Sequence, residues 1–268
     1  MKNKDLFRVG FVQNNPIFAN VKENLSRVKE LIQDQNADLF VLPELFATGY
    51  QFKDMGESRS LAELVPGGVT TSMLTAIAKK INAFIIAGLA EIDEGQVYNS
   101  AVVTGPNGYI GKYRKIHLFD REKACFQEGN LPLQVFEIAG AQVGVMICFD
   151  WRFPETARTL SLMGADLIAH PSNLVLTHCP QAMITRCLEN RIFAVTADRV
   201  GIENRLDDEP LNFMGQSQVV DPNGNVLVRA SMTDEAVNVV ELDLSLARNK
   251  FLNSYNHIFK DRRTDLYD

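Results

Sequence analysis

This sequence predicts an α/β fold built as a four-layer α-β-β-α sandwich. Strand-type and helix-type patterns alternate along the chain. The turn Gly105-Pro106-Asn107-Gly108 is echoed by Asp221-Pro222-Asn223-Gly224, with strand residues on both sides each time. Each half thus runs strand–helix–strand–helix and closes on a hairpin, which suggests two similar sheets face to face with helices outside. Pro-Asn-Gly is also an ordinary hairpin composition, so the echo alone does not require a repeat. At 268 residues and 46% hydrophobic, the chain has ample core for one large domain over 1–268, and no linker or low-complexity tract divides it.

The elements follow in order. Phe7–Gln13 reads as a strand, and Asn20–Gln35 as an amphipathic helix with Val21, Leu25, Val28, Leu31 and Ile32 on one face. Asn20, with Glu23 three residues on, is the expected N-cap. Leu39–Leu42 is a short buried strand, Thr70–Ile81 a helix, and Phe84–Ala90 a strand. Val97–Val103 and Tyr109–Tyr113 flank the first Pro-Asn-Gly turn. Val135–Ile138 and Val143–Cys148 are strands, followed by a helix over Pro154–Met163 that Gly164 stops. A strand at Leu167–His170, a helix at Pro180–Arg191 and a strand at Ala194–Ala197 lead into the second hairpin. The stretch 249–268 sets Phe251, Leu252, Tyr255, Ile258, Phe259, Leu266 and Tyr267 among charges, so it packs on its own domain or on a partner subunit.

Composition narrows the function classes. No run of eighteen apolar residues spans a membrane, and the N-terminus lacks a secretory h-region. A net charge of −6 without a basic block argues against nucleic acid and acidic membrane surfaces. Four cysteines without paired short spacings read as reduced cytosolic thiols, and four scattered histidines give no metal-ligand pattern. A cytoplasmic protein with no metal and no cofactor is expected.

Three residues stand where chemistry is expected. Cys148 ends the apolar run Gly144-Val145-Met146-Ile147, and Pro154 and Glu155 then open a helix. A strand–turn–helix crossing exposes a nucleophile at a sheet edge, and the positive end of the helix favours a thiolate. Burial as an inert small hydrophobe is the alternative, and it is the expectation for Cys125, Cys179 and Cys187. Glu44 closes the strand in Val41-Leu42-Pro43-Glu44-Leu45-Phe46, where apolar neighbours raise a carboxyl pKa toward general-base range; a capping or surface role is the alternative. Alternation turns Tyr113 and Lys115 to one side, away from Lys112 and Arg114, so one ammonium can face inward to hold an oxyanion, although such a basic run is commonly a solvated loop.

Glutamate, lysine and cysteine in that order, each closing a strand, make the chain resemble the nitrilase superfamily of carbon–nitrogen hydrolases. The matching pieces are Leu42-Pro43-Glu44-Leu45-Phe46, Tyr113-Arg114-Lys115-Ile116-His117-Leu118-Phe119, Gly144–Glu155, Gly164-Ala165-Asp166 and His170-Pro171-Ser172-Asn173, spread over essentially the whole chain. The resemblance implies the α-β-β-α sandwich, a cytosolic location, a homodimer or larger oligomer, and hydrolysis of a small amide through a thioester on Cys148. It also implies a second glutamate, for which Glu122 fits better than Glu128. In that scheme Glu44 is the base, Lys115 and the Phe149 N–H hold the oxyanion, and Glu122 orients Lys115. Nitrile-preferring branches carry Trp-Glu after the cysteine, whereas this chain has Phe149-Asp150, which favours amides. A nitrilase and an N-carbamoyl amino acid hydrolase remain alternatives, as does, more distantly, a non-catalytic binding protein on the same fold.

Neighbouring residues have two readings each. Trp151 either walls the substrate pocket or packs in the core. Arg152 either pairs a substrate carboxylate or ties down Asp150 or Glu155. Asn173 is expected to line the site, and His117 and His170 raise the competing idea of a Cys–His dyad.

Overall fold

The computed structural model describes residues 5–206 and 210–267. Its first half contains β1 (Leu6–Gln13), α1 (Val21–Ile32), β2 (Leu39–Val41), α2 (Met55–Leu61), α3 (Val69–Ile81), β3 (Phe84–Asp93), β4 (Gln96–Gly105) and β5 (Gly108–Arg114). A single helical turn, α4 (Glu122–Cys125), leads into β6 (Val135–Ile138), β7 (Ala141–Val145), α5 (Pro154–Leu162), β8 (Leu167–Pro171), α6 (Cys179–Asn190) and β9 (Phe193–Ala197). The remainder comprises β10 (Val200–Glu203), β11 (Leu211–Met214), β12 (Gln218–Val220), β13 (Val226–Arg229), β14 (Ala236–Asp243) and α7 (Ser245–Arg248).

Two six-stranded sheets result, in the orders β14-β1-β2-β3-β4-β5 and β6-β7-β8-β9-β12-β13, with β10 and β11 forming a separate ribbon. The central pairs β1–β2, β2–β3, β7–β8 and β8–β9 are parallel, and the outer pairs are antiparallel. The expected four layers are therefore present.

Period-two alternation explains how each strand serves two cores. On β1 and β2, Phe7, Val9, Phe11, Leu39 and Val41 face the second sheet, while Val12 and Phe40 face the helices. Leu25, Val28 and Ile32 of α1 and Leu74, Ile77 and Ala78 of α3 close that outer layer. Full burial of side chains such as Leu25 or Ile32 contributes roughly 1.5–3 kcal/mol each. Strands β8 and β9 are buried along their whole length, which is why they read as unbroken apolar runs.

Some expectations shift. The first helix stops at Ile32 rather than Gln35, and Asn20 makes no side-chain cap; its Nδ2 instead donates to Glu23 Oε2 at 2.5 Å. Asn24 ties that end down, with bonds to both backbone groups of Ile17 and to the Ala47 carbonyl. The strand expected to reach Cys148 ends at Val145, and a 3₁₀ turn over Cys148–Arg152 precedes α5. Helix α2 and the β10–β11 ribbon carry no strong periodic apolar pattern and are new. In the C-terminal stretch, Lys250 Nζ donates to the Asn190 and Arg191 carbonyls and Arg158 lies over Phe259, so part of it docks on its own chain. Tyr255, by contrast, is 92% exposed, and Asp268 lies outside the described residues.

Candidate active site

The carboxyl ends of the parallel strands converge between the two sheets, and the polar residues singled out in the sequence meet there. Glu44 follows β2 in a turn whose next residue, Leu45, has φ +49°. Gly88 on β3 makes this turn accessible, since a Cβ at position 88 would stand 2.5 Å from Glu44 Cα. Lys115 follows β5, its N–H donating to the Asn99 carbonyl and its own carbonyl accepting from Gly129 N–H, both at 2.8 Å. A Cβ at Gly129 would stand 2.4 Å from the Arg114 carbonyl oxygen, so the close approach depends on glycine.

The Lys115 side chain is 0% exposed. Its Nζ donates to Glu44 Oε1 at 2.7 Å and to Glu122 Oε1 at 2.6 Å. Glu122 opens α4 and also accepts from Tyr50 Oη at 2.7 Å and from the Phe119 N–H at 3.1 Å. Glu128, the other candidate for the second glutamate, is exposed. Asn99 Nδ2 donates to Glu44 Oε1 at 2.7 Å, while Glu44 Oε2 makes no hydrogen bond among the described residues.

Cys148 opens the 3₁₀ turn with φ +40°, a left-handed conformation uncommon for a residue with a side chain. Its carbonyl accepts from His170 Nε2 at 2.9 Å, and its Sγ lies 3.8 Å from the Asn173 carbonyl. Asp150 braces the turn, accepting from Ile147 N–H and Tyr113 Oη at 2.8 Å each and facing His117 Nδ1 at 2.8 Å. Phe149 sits in the first turn of the 3₁₀ segment, where N–H groups lack intrahelical acceptors.

Burial dominates the electrostatics. It raises the Glu44 carboxyl to about 7, overcoming the opposing pull of Lys115. Burial also works against the Lys115 ammonium, but Glu122 and Glu44 outweigh it and hold the group well above its ordinary value. The Cys148 thiol is pushed well up by burial and by Glu44, against Lys115. This corrects the expectation of a thiolate favoured by a helix end: α5 begins only at Pro154, and burial prevails, with Glu44 and Glu122 adding to it. A thiol of this kind needs a base at the moment of attack. Burial lowers His170 to about 4, so its neutral ring positions the Cys148 backbone. Neither His170 nor His117 hydrogen-bonds Cys148 Sγ, contrary to the dyad idea.

A cavity of about 20 Å³ touches Cys148, bordered by Phe149, Trp151, Asn173 and Leu174. Trp151 is both buried and part of that wall, so its two readings coexist. Arg152 lies over the Trp151 ring at 5.6 Å and is exposed; of the two partners expected for it, Asp150 and Glu155, Asp150 is taken by Tyr113, His117 and Ile147. Asn173 also donates through Nδ2 to the Glu44 carbonyl at 2.8 Å, linking the two halves. Tyr50 and Asn99 were not anticipated from sequence. Asn99 had a signal, since it interrupts the apolar face of Val97, Ala101 and Val103; Tyr50 follows Gly49 in a loop and had none. Among the described residues, no cluster of three His, Cys, Asp or Glu side chains is placed to hold a metal ion, and no helix is long and apolar enough to cross a membrane.

The sequence model of the carbon-nitrogen hydrolase family matches residues 8–250. A nitrilase from Pyrococcus abyssi is 50% identical over 98% of this chain and 99% of its own. An (R)-stereoselective amidase from Pseudomonas sp. is 35% identical, covering 90% of this chain and 85% of its own. An omega-amidase from Homo sapiens is 32% identical over 97% of this chain and 96% of its own. The crystal structure of an amidase from Nesterenkonia sp. superimposes with a TM-score of 0.79 at 24% identity, covering 97% of this chain and 94% of that one, and so shares the fold.

Proposed function

The chain belongs to the carbon–nitrogen hydrolase family, and from that premise we propose that it converts a small amide to a carboxylic acid and ammonia through a thioester on Cys148. The observation that supports this is the wholly buried Lys115 held between Glu44 and Glu122 in the electrostatic field of Cys148.

The steps follow from the groups present. Glu44, through its unengaged Oε2, takes the thiol proton as Cys148 Sγ bonds to the amide carbon. With an acid value of about 7, the carboxyl both accepts and returns a proton near neutrality. Lys115 and the Phe149 N–H hold the oxyanion, a contribution typically worth ~10²–10³ in rate per donor. As the C–N bond breaks, Glu44 passes its proton to the nitrogen and ammonia leaves. Glu44 then deprotonates a water that attacks the thioester, the acid departs, and the proton returns to Sγ. Glu122 keeps Lys115 charged and in place, and is itself held by Tyr50.

A nitrile would follow the same path through a thioimidate, and the 50% identity to the Pyrococcus abyssi nitrilase favours keeping this second reading. The ratio of acid to amide formed from a paired nitrile and amide separates the two. Residues 1–268 form, in the same reading, one catalytic domain of a cytoplasmic homodimer, in which the exposed Phe251, Leu252, Tyr255, Leu266 and Tyr267 pack on the partner. Light scattering of the full chain and of a Leu252→Ser/Tyr255→Ser variant tests the association.

The central experiment is intact-protein mass spectrometry with ammonia release over small amides and nitriles, with Cys148→Ala alongside. An acyl adduct that Cys148→Ala abolishes together with turnover is expected. Undiminished turnover in Cys148→Ala overturns the mechanism.

A further inference from the structure

We infer that the acyl group of the substrate is uncharged and apolar, up to about the bulk of a benzene ring, and that a second cavity beside the reacting centre selects it. This rests on the amide reading above and adds the substrate class. The 20 Å³ space at Cys148 has room for about one water-sized group, too little for the rest of the substrate. Phe119 and Val175 border that space and also a larger cavity of about 150 Å³, whose lining includes Glu122 and Tyr50. The rest of the substrate extends there.

The walls of the larger cavity define what fits. Phe52, Phe126, Val175, Leu206 and Leu211 present hydrocarbon. A space of about 150 Å³ has room for a benzene-sized guest. Among the described residues its charged neighbours are Asp120, Arg121 and Glu122. Glu122 is engaged by Lys115 and Tyr50, and Arg121 is exposed, with Nη2 3.4 Å from the Lys53 carbonyl. Among these described groups, a substrate carboxylate would leave water for hydrocarbon and meet two carboxylates against one solvated guanidinium. A hydrocarbon group meets none of this.

The cavity is also built in advance, which makes its size limit sharp. Glu203 accepts from the N–H groups of Tyr50 and Gln51 at 3.1 and 2.6 Å and pairs with the buried Arg199. Arg205 donates to the Gln51 carbonyl at 2.7 Å and forks onto Glu57 at 2.9 and 2.6 Å. These bonds fix the loop carrying Tyr50 and Phe52 against the segment carrying Leu206.

The test compares kcat/KM of the full-length enzyme for acetamide, butyramide, 4-methylpentanamide, phenylacetamide and succinamate, with the matching nitriles in parallel. Succinamate and 4-methylpentanamide have nearly the same shape and differ in charge. The expected result is a rise of about fourfold per added methylene within the cavity, with 4-methylpentanamide favoured over succinamate at least ~10-fold. Leu211→Phe, and independently Leu206→Phe, should lower the ratio of 4-methylpentanamide to acetamide. Preference for succinamate, with KM raised by Arg121→Gln, would make the cavity a carboxylate site and overturn the inference. A flat profile along the uncharged series also overturns it while leaving the amide reading intact. A graded profile confined to the nitriles overturns the amide reading alone, since the acyl groups are shared. No turnover of either series removes both.

Discussion

Replacing Glu44 with glutamine separates the chemistry of this residue from its effect on stability. The amide oxygen can still accept from Asn99 Nδ2 and Lys115 Nζ, so the local bonds persist. What disappears is the titration. The carboxyl moves from an ordinary 4.5 to about 7 in the folded protein. Its folded value is raised, so the folded state binds more protons than the unfolded chain between those limits. Stability from this site is therefore full below pH 4.5 and lost as pH rises through 7. Across that interval, at ~1.36 kcal/mol per pH unit, the loss is about 3 kcal/mol. Glu44→Gln lacks that loss, so relative to the parent it should gain about 3 kcal/mol between low and neutral pH, most of it between pH 5 and 8. Denaturant unfolding of both proteins across that range measures the difference. Ammonia release should meanwhile fall by at least ~10²–10⁴, because no general base remains. A stability difference that stays flat with pH would refute the electrostatic argument, and retained turnover would refute the assignment of the base.

Two further outcomes follow from the same geometry. Asn99→Ala removes a donor that lowers the Glu44 value, so the acid limb of the kcat/KM profile should move upward, and an unmoved limb would contradict the role given to Asn99. Gly88→Ala forces a Cβ to within 2.5 Å of Glu44 Cα, so unfolding experiments should show a loss of about 1–3 kcal/mol. Turnover should fall by up to ~10²-fold as the base is displaced, and a variant with parental stability and rate would show that the contact is not tight.

Much of this arrangement was legible because its signals are local. Glu44, Lys115 and Cys148 each interrupt or end an apolar run, and such an interruption is visible within a few residues of sequence. The alternation of strand and helix gave the layers for the same reason. The charge state of Cys148 was not legible, because the burial that decides it, and the carboxylates of residues 44 and 122 that add to it, come from parts of the chain far away in sequence. Tyr50 was hidden in a similar way: its partner Glu122 lies 72 residues on, and nothing near Gly49-Tyr50 marks the pairing. Helix α2 escaped because Met55–Leu61 alternates charge with small polar residues and buries only Ser58. The capping expected of Asn20 failed because Asn24, one turn later, is the residue whose side chain is buried against two backbone segments.

The matching strand orders of the two sheets have one more implication. β14, from the chain's end, stands beside β1 as β6 stands beside β7, so each sheet is the same pattern drawn once. Under that correspondence the turn after β2 matches the turn after β8, which places Glu44 opposite Asn173, the two joined by a hydrogen bond. Glu44, Lys115 and Glu122 come before β6, while Cys148 comes after it. Neither repeat owns the chemistry: one brings the acids and the ammonium, the other brings the sulfur. Any drift in how the sheets sit on each other is felt first at the reacting atoms, so the seam between the halves, more than either half, is what selection on this site must hold constant.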